Sequence, residues 1–271
     1  IFSVRNRCVN LMQKDFDALV TTINFGDPAT VKAINNWCSE HTNGKITEII
    51  DELGRNVVMV LVNALYFNAP WLNPFDEHMT FDAPFYGSVK ESKVKMMSRK
   101  AYMNYAEYMG CQLVELPYEG GRYTMYVLLP PKDLDMNEVI GYLSEDAYKT
   151  ALASLQPTEV QLRMPKVKAE SSLLLNDSLQ KMGIRTAFSA AADFSGIAEM
   201  GPLVLDQVRQ KCYVEISEKG TEAAAVTSAQ IRLTSARPSS YEKMTVDRPF
   251  VFFIADTQKD NIMFAGRIMN L

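Results

Sequence analysis

The chain has 271 residues, of which 47% are hydrophobic and 22% charged, and its formal net charge is −4. This length allows one large domain or two small ones, and the composition is ordinary for a globular protein. The charge balance gives no basic face for nucleic acid. The longest apolar run, residues 57–67, is far too short to cross a membrane.

The four cysteines, Cys8, Cys38, Cys111 and Cys212, lie far apart and form no CxxC pair. A zinc site is therefore not expected, and four cysteines in a chain of this length do not make a disulfide scaffold. Free, mostly buried thiols are predicted. The first residues, IFSVRNRC, show neither a signal peptide nor an initiating Met, which indicates a partial or processed chain.

The first half of the chain predicts an amphipathic helix followed mainly by strands. Residues 27–40 combine an Asp cap, a Pro in the first turn and apolar residues at helical spacing. A short acidic helix is expected at 46–53. The unbroken apolar run 56–67 predicts a strand covered on both faces, in the middle of a sheet. Further strands are expected at 79–97 and 111–130, the latter with a Gly-Gly hairpin turn.

The second half continues the mixture of helices and strands. In order, it predicts two short helices (133–155), a strand (158–170), a helix opened by Ser caps and stopped by Gly183 (171–183), a strand (204–217) and two strands around a polar turn (243–271). No internal repeat and no linker interrupts the pattern. The fold class is therefore predicted as α+β with a large mixed sheet, in a single domain spanning 1–271.

The segment 218–243, EKGTEAAAVTSAQIRLTSARPSSYEK, combines a loop composition with a strand pattern. In 221–234 the odd positions are all small or apolar, whereas the even positions carry every charge and amide. This alternation is typical of a strand with one buried face. Gly220 provides a hinge before the segment, and the alanines have weak strand preference. The segment can form a strand without being committed to one; the alternative is an Ala/Ser/Thr linker.

The motifs around this segment resemble the serpins. EKGTEAAA follows a predicted strand, and DRPFVFFI and FAGRI come later in the chain. The other matching motifs are INNWCSEHTNGKI (34–46), VLVNALYFNAPW (60–71), VKMM (94–97), LPY (116–118), LRMPKVKAE (162–170), LQKMGI (179–184) and ADFSGI (192–197). Several long motifs in the order of the family make the resemblance specific and extend it over nearly the whole chain.

The resemblance implies a serpin fold, with a large central sheet, additional sheets, surrounding helices and an exposed reactive-centre loop able to insert as a strand. The chain departs from the family pattern at NAP (68–70), where many members have Lys-Gly, and at Gln210, where His is common. The resemblance also implies that the N-terminal helices of the family domain are missing from the given chain, which is expected to begin at a strand of the main sheet.

The resemblance also implies a protease inhibitor that acts as a suicide substrate. A target protease attacks the loop at about 218–243 and forms an acyl-enzyme. The freed loop then inserts into a gapped five-stranded sheet before water can hydrolyse the ester. The partner is expected to be a serine protease, with a cysteine protease as the alternative. No nucleic acid, membrane, metal or cofactor is expected, and the protein is predicted to be a monomer.

The resemblance assigns roles to three groups of residues. The hinge comprises Glu218, Gly220, Thr221, Glu222, Ala223, Ala224 and Ala225, of which Thr221, Ala223 and Ala225 face inward on insertion. Glu218 is expected to pair with Lys166 on the neighbouring strand. Asn63 matches the position where the sheet parts, and Trp71 the aromatic near the point of insertion; both can equally be structural residues.

The family spacing places the scissile bond at Thr234–Ser235, which implies a protease that accepts a small residue. Arg232–Leu233 is the rival and would suit a trypsin-like enzyme, although it shortens the inserting arm. Arg237 is a weak candidate because Pro238 follows it.

The sequence also bears on two alternatives to inhibition, an enzyme and a non-inhibitory serpin. An enzyme is not expected, since neither His41 nor His78 lies near a nucleophile motif and no GxSxG or phosphate loop occurs. A non-inhibitory serpin, acting as a carrier, chaperone or storage protein, is the alternative, and the small hinge residues favour inhibition over it. A secreted, extracellular or periplasmic location is expected, with the cytoplasm as the alternative. The sequon at Asn176 is a weak indication of glycosylation.

Overall fold

A computed structural model describes residues 4–54, 57–198, 203–221 and 240–271. The chain divides into two compact units, which are described separately. Unit 1 comprises Ile1–Tyr66 and Ala169–Tyr213, and unit 2 comprises Phe67–Lys168 and Val214–Leu271.

The helices are α1 (Asn6–Phe16), α2 (Pro28–His41), α3 (Met136–Tyr142), α4 (Glu145–Ala153) and α5 (Asn176–Lys181). The strands are β1 (Val60–Tyr66), β2 (Ala69–Pro70), β3 (Phe81–Tyr86), β4 (Glu91–Tyr108), β5 (Cys111–Pro117), β6 (Tyr123–Leu129), β7 (Gln156–Pro165), β8 (Val167–Leu174), β9 (Gln207–Ile216), β10 (Gly220–Thr221), β11 (Glu242–Thr245), β12 (Phe250–Asp256) and β13 (Asn261–Ile268).

Helix α2 confirms the predicted amphipathic helix. Asp27 caps it by accepting a hydrogen bond from the Ala29 N–H at 2.8 Å, and Pro28 takes the first helical position. Its apolar side packs in a core cluster of unit 1 made up of Cys38, Ile46, Ile49, Ile50 and Tyr213.

The prediction of a short helix at 46–53 is wrong. The Asn35 side chain accepts hydrogen bonds from the Ile49 and Ile50 N–H groups and donates one to the Ile50 carbonyl. A side chain about 15 positions away thus takes over the backbone groups that a helix would use, and the isoleucines are buried in an irregular segment.

Strand β1 forms, but it is not covered on both faces as predicted. Its alternate residues from Val60 to Tyr66 pack toward the α2 cluster, whereas Leu61 is 54% exposed and Asn63 is exposed as well. The expectation that the chain begins at a strand concerns residues 1–3, which lie outside the described part of the chain; the first described helix, α1, precedes β1 by more than forty residues.

The helix predicted at 171–183 is shorter than expected. Residues 171–174 belong to β8, and α5 begins at Asn176. The Asn176 side chain donates to the Asp206 carbonyl at 2.7 Å and accepts from the Val208 N–H at 3.0 Å, which fixes the helix start against β9. Gly183 follows the helix with φ of 102°, as a stop residue should.

Unit 2 contains a sheet in the order β11-β7-β4-β5-β6-β12-β13, with β3 paired to β4. The predicted hairpin lies between β5 and β6, where Gly120 and Gly121 have φ of 82° and 68°. Helices α3 and α4 pack on this sheet through a second core cluster. Strand β4 is longer than predicted, and the C-terminal hairpin is preceded by the short β11, which pairs in parallel with β7.

These elements confirm the α+β class. Parallel pairing joins β1 to β9 and β11 to β7. The pairs β2–β10, β9–β10, β3–β4, β4–β5, β4–β7, β5–β6, β6–β12 and β12–β13 are antiparallel, so the sheets are mixed. All four cysteines are free, and Cys38 and Cys111 are buried. Among the described residues, no helix is long and apolar enough to span a bilayer.

Candidate functional site at the base of segment 222–239

The residues just before segment 222–239 form a tight turn in unit 2, which we call the loop base (Ser217–Thr221). The Ser217 N–H donates to the Gly220 carbonyl at 2.8 Å, and Thr221 then pairs antiparallel with Ile216. On its other side β10 pairs antiparallel with β2, Thr221 lying opposite Ala69. Thr221 is therefore held between two strands and is completely buried.

Gly220 is required by the close approach of this turn to the chain around β2. Its φ is +152°, a conformation that L-residues rarely adopt. A Cβ here would overlap the Ala69 carbonyl oxygen and lie 2.6 Å from the Pro70 Cα and 3.0 Å from the Trp71 N. Because these neighbours are backbone atoms, they cannot move aside like a flexible side chain.

Glu218 is 6% exposed and is bonded at both carboxylate oxygens. Lys166 Nζ lies 2.8 Å from Oε2, and the Thr80 hydroxyl donates to Oε1 at 2.8 Å. Burial acts to raise the pKa of Glu218, but hydrogen bonds from Lys166, from its own backbone N–H and from Thr80 outweigh it, so the pKa lies below its ordinary value. Glu218 is therefore ionised at neutral pH.

Trp71 donates two hydrogen bonds to the turn. Its indole Nε1–H donates to the Ser217 carbonyl at 2.9 Å, and its backbone N–H donates to the Lys219 carbonyl at 2.9 Å. The indole ring is buried and stacks on Tyr118, with ring centroids 4.5 Å apart and an interplanar angle of 13°.

Tyr118 contacts the loop base directly, a role that the sequence analysis did not assign. Its hydroxyl and the Thr221 Oγ1 are hydrogen-bonded to each other at 2.6 Å, and both residues are fully buried. Burial raises the pKa of Tyr118, so the hydroxyl stays neutral and can donate. LPY (116–118) was recognised only as a family motif, because nothing in the local sequence links Tyr118 to a residue 103 positions away.

Asn63 lies in unit 1, on β1, directly opposite Gln210 of β9. The two strands pair in parallel without interruption from Val60 and Gln207 to Tyr66 and Tyr213. The gap expected in the sheet is thus closed along these residues, because β1 and β9 hydrogen-bond to each other. A strand inserted between them would have to separate this ladder.

The remaining predicted site residues fall outside the described part of the chain. These are the hinge residues Glu222, Ala223, Ala224 and Ala225 and the candidate cleavage residues Arg232, Leu233, Thr234 and Ser235. Beyond segment 222–239 the chain is anchored again: Lys100 Nζ lies 3.8 Å from the centroid of the Tyr241 ring, and β11 pairs with β7.

The comparisons with known proteins agree with this architecture. The family model described as Serpin (serine protease inhibitor) matches residues 1–271. Leukocyte elastase inhibitor from Sus scrofa is 34% identical over 269 residues, covering 94% of this chain and 71% of that protein. Iripin-8 from Ixodes ricinus is 35% identical over 245 residues, covering 88% of this chain and 61% of that protein.

Two solved structures share the fold. The thermophilic serpin tengpin in its native state has a TM-score of 0.90 and 28% identity, covering 100% of this chain and 70% of tengpin. Human thyroxine-binding globulin, solved with thyroxine, has a TM-score of 0.90 and 29% identity, covering 99% and 72%. The chain therefore belongs to the serpin family, and it spans about three fifths of the length of some of its curated relatives, such as iripin-8.

Proposed function

We propose that the protein is an inhibitory serpin that acts as a suicide substrate and not as an enzyme. A protease nucleophile attacks the carbonyl carbon of the residue before the scissile bond. An ester forms as the peptide bond breaks; the leaving group is the amine at the new N-terminus of the C-terminal piece, which stays bound in the fold through β11. The segment on the N-terminal side of the cut then inserts between β1 and β9 and carries the esterified protease with it. Serpin loop insertion is a recognised case of strand addition and of released strain.

The observation that carries this proposal is the register around Thr221. Its two partners, Ala69 and Ile216, are 147 positions apart. The partners in the β1–β9 ladder, such as Val60 and Gln207, are also 147 positions apart. A strand that continues from Thr221 in the same antiparallel register can therefore pair with β1 and β9 without either strand sliding along the other.

The two ends of segment 222–239 are held differently, which supports the direction of insertion. Thr221 is buried within β10, whereas the chain beyond the segment is tied to β7 through β11. Cleavage between these anchors would leave the N-terminal piece attached at the loop base and the C-terminal piece attached to β7. Small side chains at Ala223 and Ala225 would then meet little steric resistance.

The scissile bond is proposed at Thr234–Ser235, with Arg232–Leu233 as the rival. Residue 230 is nine positions beyond Thr221, and Val60 is nine positions before Ala69, so residue 230 would lie opposite Val60. A cut at either bond leaves an arm that reaches the end of β1. The rival is thus not excluded by length, and the protease that is trapped distinguishes the two.

The proposed partner is a serine protease, with a cysteine protease as the alternative, and the proposed state is a monomer located outside the cytoplasm. Incubation with a panel of both protease classes, followed by denaturing electrophoresis, tests the function. We expect a covalent band with at least one protease, at the mass of that protease plus the chain up to the cut, and mass spectrometry of the C-terminal fragment that separates on denaturation identifies the bond. Cleavage by every protease without a covalent band would support the non-inhibitory alternative.

The Thr221→Arg variant is the control for this experiment. An Arg side chain cannot be accommodated at a fully buried position between two strands without an unpaired charge. We expect the variant to be cleaved at the same bond but to release the protease, so that the covalent band is lost. An undiminished covalent band would show that insertion does not begin at Thr221.

A further inference from the structure

We propose that Tyr118 is a positioning residue that holds Thr221 in place as the preformed first residue of the inserted strand. This inference rests on the proposed function. It adds a residue that influences whether a cleaved molecule traps the protease or is simply released as a cut product. The observation behind it is the buried hydrogen bond of 2.6 Å between the Tyr118 hydroxyl and Thr221 Oγ1.

The Tyr118 ring is itself fixed on several sides. Trp71 stacks on one face, and the Phe67 ring makes an edge contact with a centroid distance of 4.9 Å. The Tyr118 N–H donates to the Tyr123 carbonyl at 3.0 Å. The hydroxyl group is therefore presented at a defined position, and Thr221 is held by a rigid partner instead of by a mobile side chain.

Within the described residues β10 comprises Gly220 and Thr221, so Thr221 is held by its pairing with Ile216 and Ala69 and, through its side chain, by Tyr118. The Thr221 side chain is a hydroxyl in a completely buried site, where a donor or acceptor without a partner is unfavourable. The Tyr118 bond satisfies this group only when Thr221 lies between Ile216 and Ala69. The bond therefore raises the fraction of molecules in which Thr221 is correctly paired.

The register shows that this bond does not have to break during insertion. The partners of Thr221 already have the same 147-residue offset as the β1–β9 ladder, so Thr221 need not shift when the following residues enter. Only molecules with Thr221 paired can extend the strand at once. The observed rate of insertion should therefore scale with the paired fraction.

Four variants test the inference: Tyr118→Phe, Thr221→Val, Thr221→Ser and the double variant Tyr118→Phe/Thr221→Val. The first readout is the number of inhibitor molecules consumed per protease trapped, measured with a protease that the wild type traps. The second is amide hydrogen exchange at Ser217 and Trp71, whose N–H groups donate to the Gly220 and Lys219 carbonyls of the loop base; it reports how often the loop base is paired without requiring any inhibition.

We expect Tyr118→Phe and Thr221→Val to raise amide exchange at the loop base about fivefold, equivalent to about 1 kcal/mol. More molecules should be cleaved without trapping the protease. Thr221→Ser keeps the hydroxyl and should behave like the wild type. Each single variant leaves one buried hydroxyl without its partner and should therefore lower the unfolding stability. The double variant removes both hydroxyl groups and should regain that stability. Trapping of the protease should nevertheless remain poor in the double variant.

Three outcomes separate the possibilities. If both single variants match the wild type in amide exchange and in protease trapping, the inference is overturned. Recovery of trapping together with stability in the double variant would also overturn it, because the bond would then serve only to satisfy buried groups. If the wild type traps no protease, the proposed function fails, whereas the exchange data still decide whether Tyr118 holds Thr221. Thr221→Val and Thr221→Ser carry the test should Tyr118→Phe not fold.

Discussion

Glu218 and Lys166 form an asymmetric ion pair, since the carboxylate is buried whereas the Lys166 side chain is 43% exposed. Lys166→Met leaves a buried negative charge with Thr80 as its remaining side-chain partner and is expected to destabilise the protein by about 2 kcal/mol. Glu218→Gln leaves an ammonium that water can reach and should cost about 1 kcal/mol. Urea unfolding of both variants measures the difference. Equal losses would show that the carboxylate is not effectively buried.

The same carboxylate gives a pH dependence with a defined sign. The pKa of Glu218 is lower in the folded protein than in the unfolded chain, so the unfolded state binds more protons on acidification. Its stabilising contribution is fully present above the unfolded pKa of about 4.3 and is lost as the pH falls through the folded value. The melting-temperature difference between wild type and Glu218→Gln should therefore shrink below about pH 4.5. A difference that is constant from pH 7 to pH 3.5 would contradict this assignment.

Gly220→Ala tests the backbone requirement at the loop base. The Cβ would overlap backbone atoms of Ala69 and Pro70 in addition to the unfavourable φ, and we expect a loss of about 2–3 kcal/mol. Gly121→Ala is the matched control, because Gly121 also has positive φ but nothing lies within 4 Å of its added Cβ. It should lose only about 1 kcal/mol. Similar losses for the two variants, measured by urea unfolding, would show that the chain around β2 gives way easily.

At the scale of elements, the β1–β9 ladder ends at a cluster of hydrogen bonds in unit 1. Asp206 Oδ2 accepts from the Val58 and Met59 N–H groups at 2.6 and 2.9 Å, and the Asp206 carbonyl accepts from the Asn176 side chain. Under the proposed mechanism, a strand inserted in the present register would reach this cluster after residue 230. The cluster would then mark the end of the ladder that separates.

Asp206→Ala removes the acceptor for two backbone donors and is expected to destabilise the protein by about 2 kcal/mol. Amide exchange should rise at Val58, Met59 and the adjoining β1 residues, as measured by hydrogen–deuterium exchange. Asp206→Asn retains one acceptor oxygen and should lie between the wild type and Asp206→Ala. Unchanged exchange along β1 would show that the ladder is held without this cluster.

The same cluster bears on the Asn176 sequon. Both polar atoms of its side chain are engaged, the Nδ2 with the Asp206 carbonyl and the Oδ1 with the Val208 N–H. A glycan attached to Nδ2 would compete with that donation, so the structure argues against glycosylation of the folded chain.

Sequence patterns predicted those elements whose signals are local. The Asp27-Pro28 start of α2 and the Gly120-Gly121 turn are examples, since capping and positive φ are set by neighbouring residues. The segment 46–53 was mispredicted because the Asn35 side chain satisfies its backbone from outside the segment. Local propensity carries no information about such partners.

In the candidate site, too, the sequence predicts local features but not the contacts between distant residues. Gly220 could be recognised as a hinge from its type, but the backbone atoms that require it belong to β2, about 150 positions earlier. The bond from Tyr118 to Thr221 and the donation from Thr80 to Glu218 likewise join distant parts of the chain. Such contacts follow from the tertiary fold. A single sequence contains these residues but does not reveal which of them contact each other.

At the scale of the whole molecule, the proposal requires that a direct β1–β9 ladder be exchanged for one that contains an additional strand. The inserted strand would add hydrogen bonds and buried small side chains along about nine residues, so the cleaved form should be the more stable one. Under the proposed mechanism, the intact form would persist because the uncut segment is anchored both at Thr221 and through β11.

The most direct test compares the melting temperature of the intact chain with that of the chain cut within segment 222–239. A gain of several kcal/mol should raise the melting temperature by at least about 10 °C, since 1 kcal/mol shifts a domain of this size by about 2–4 °C. The amides of residues 222–230 should become protected at the same time. An unchanged melting temperature, with those amides exchanging as fast as in an unstructured peptide, would contradict the account.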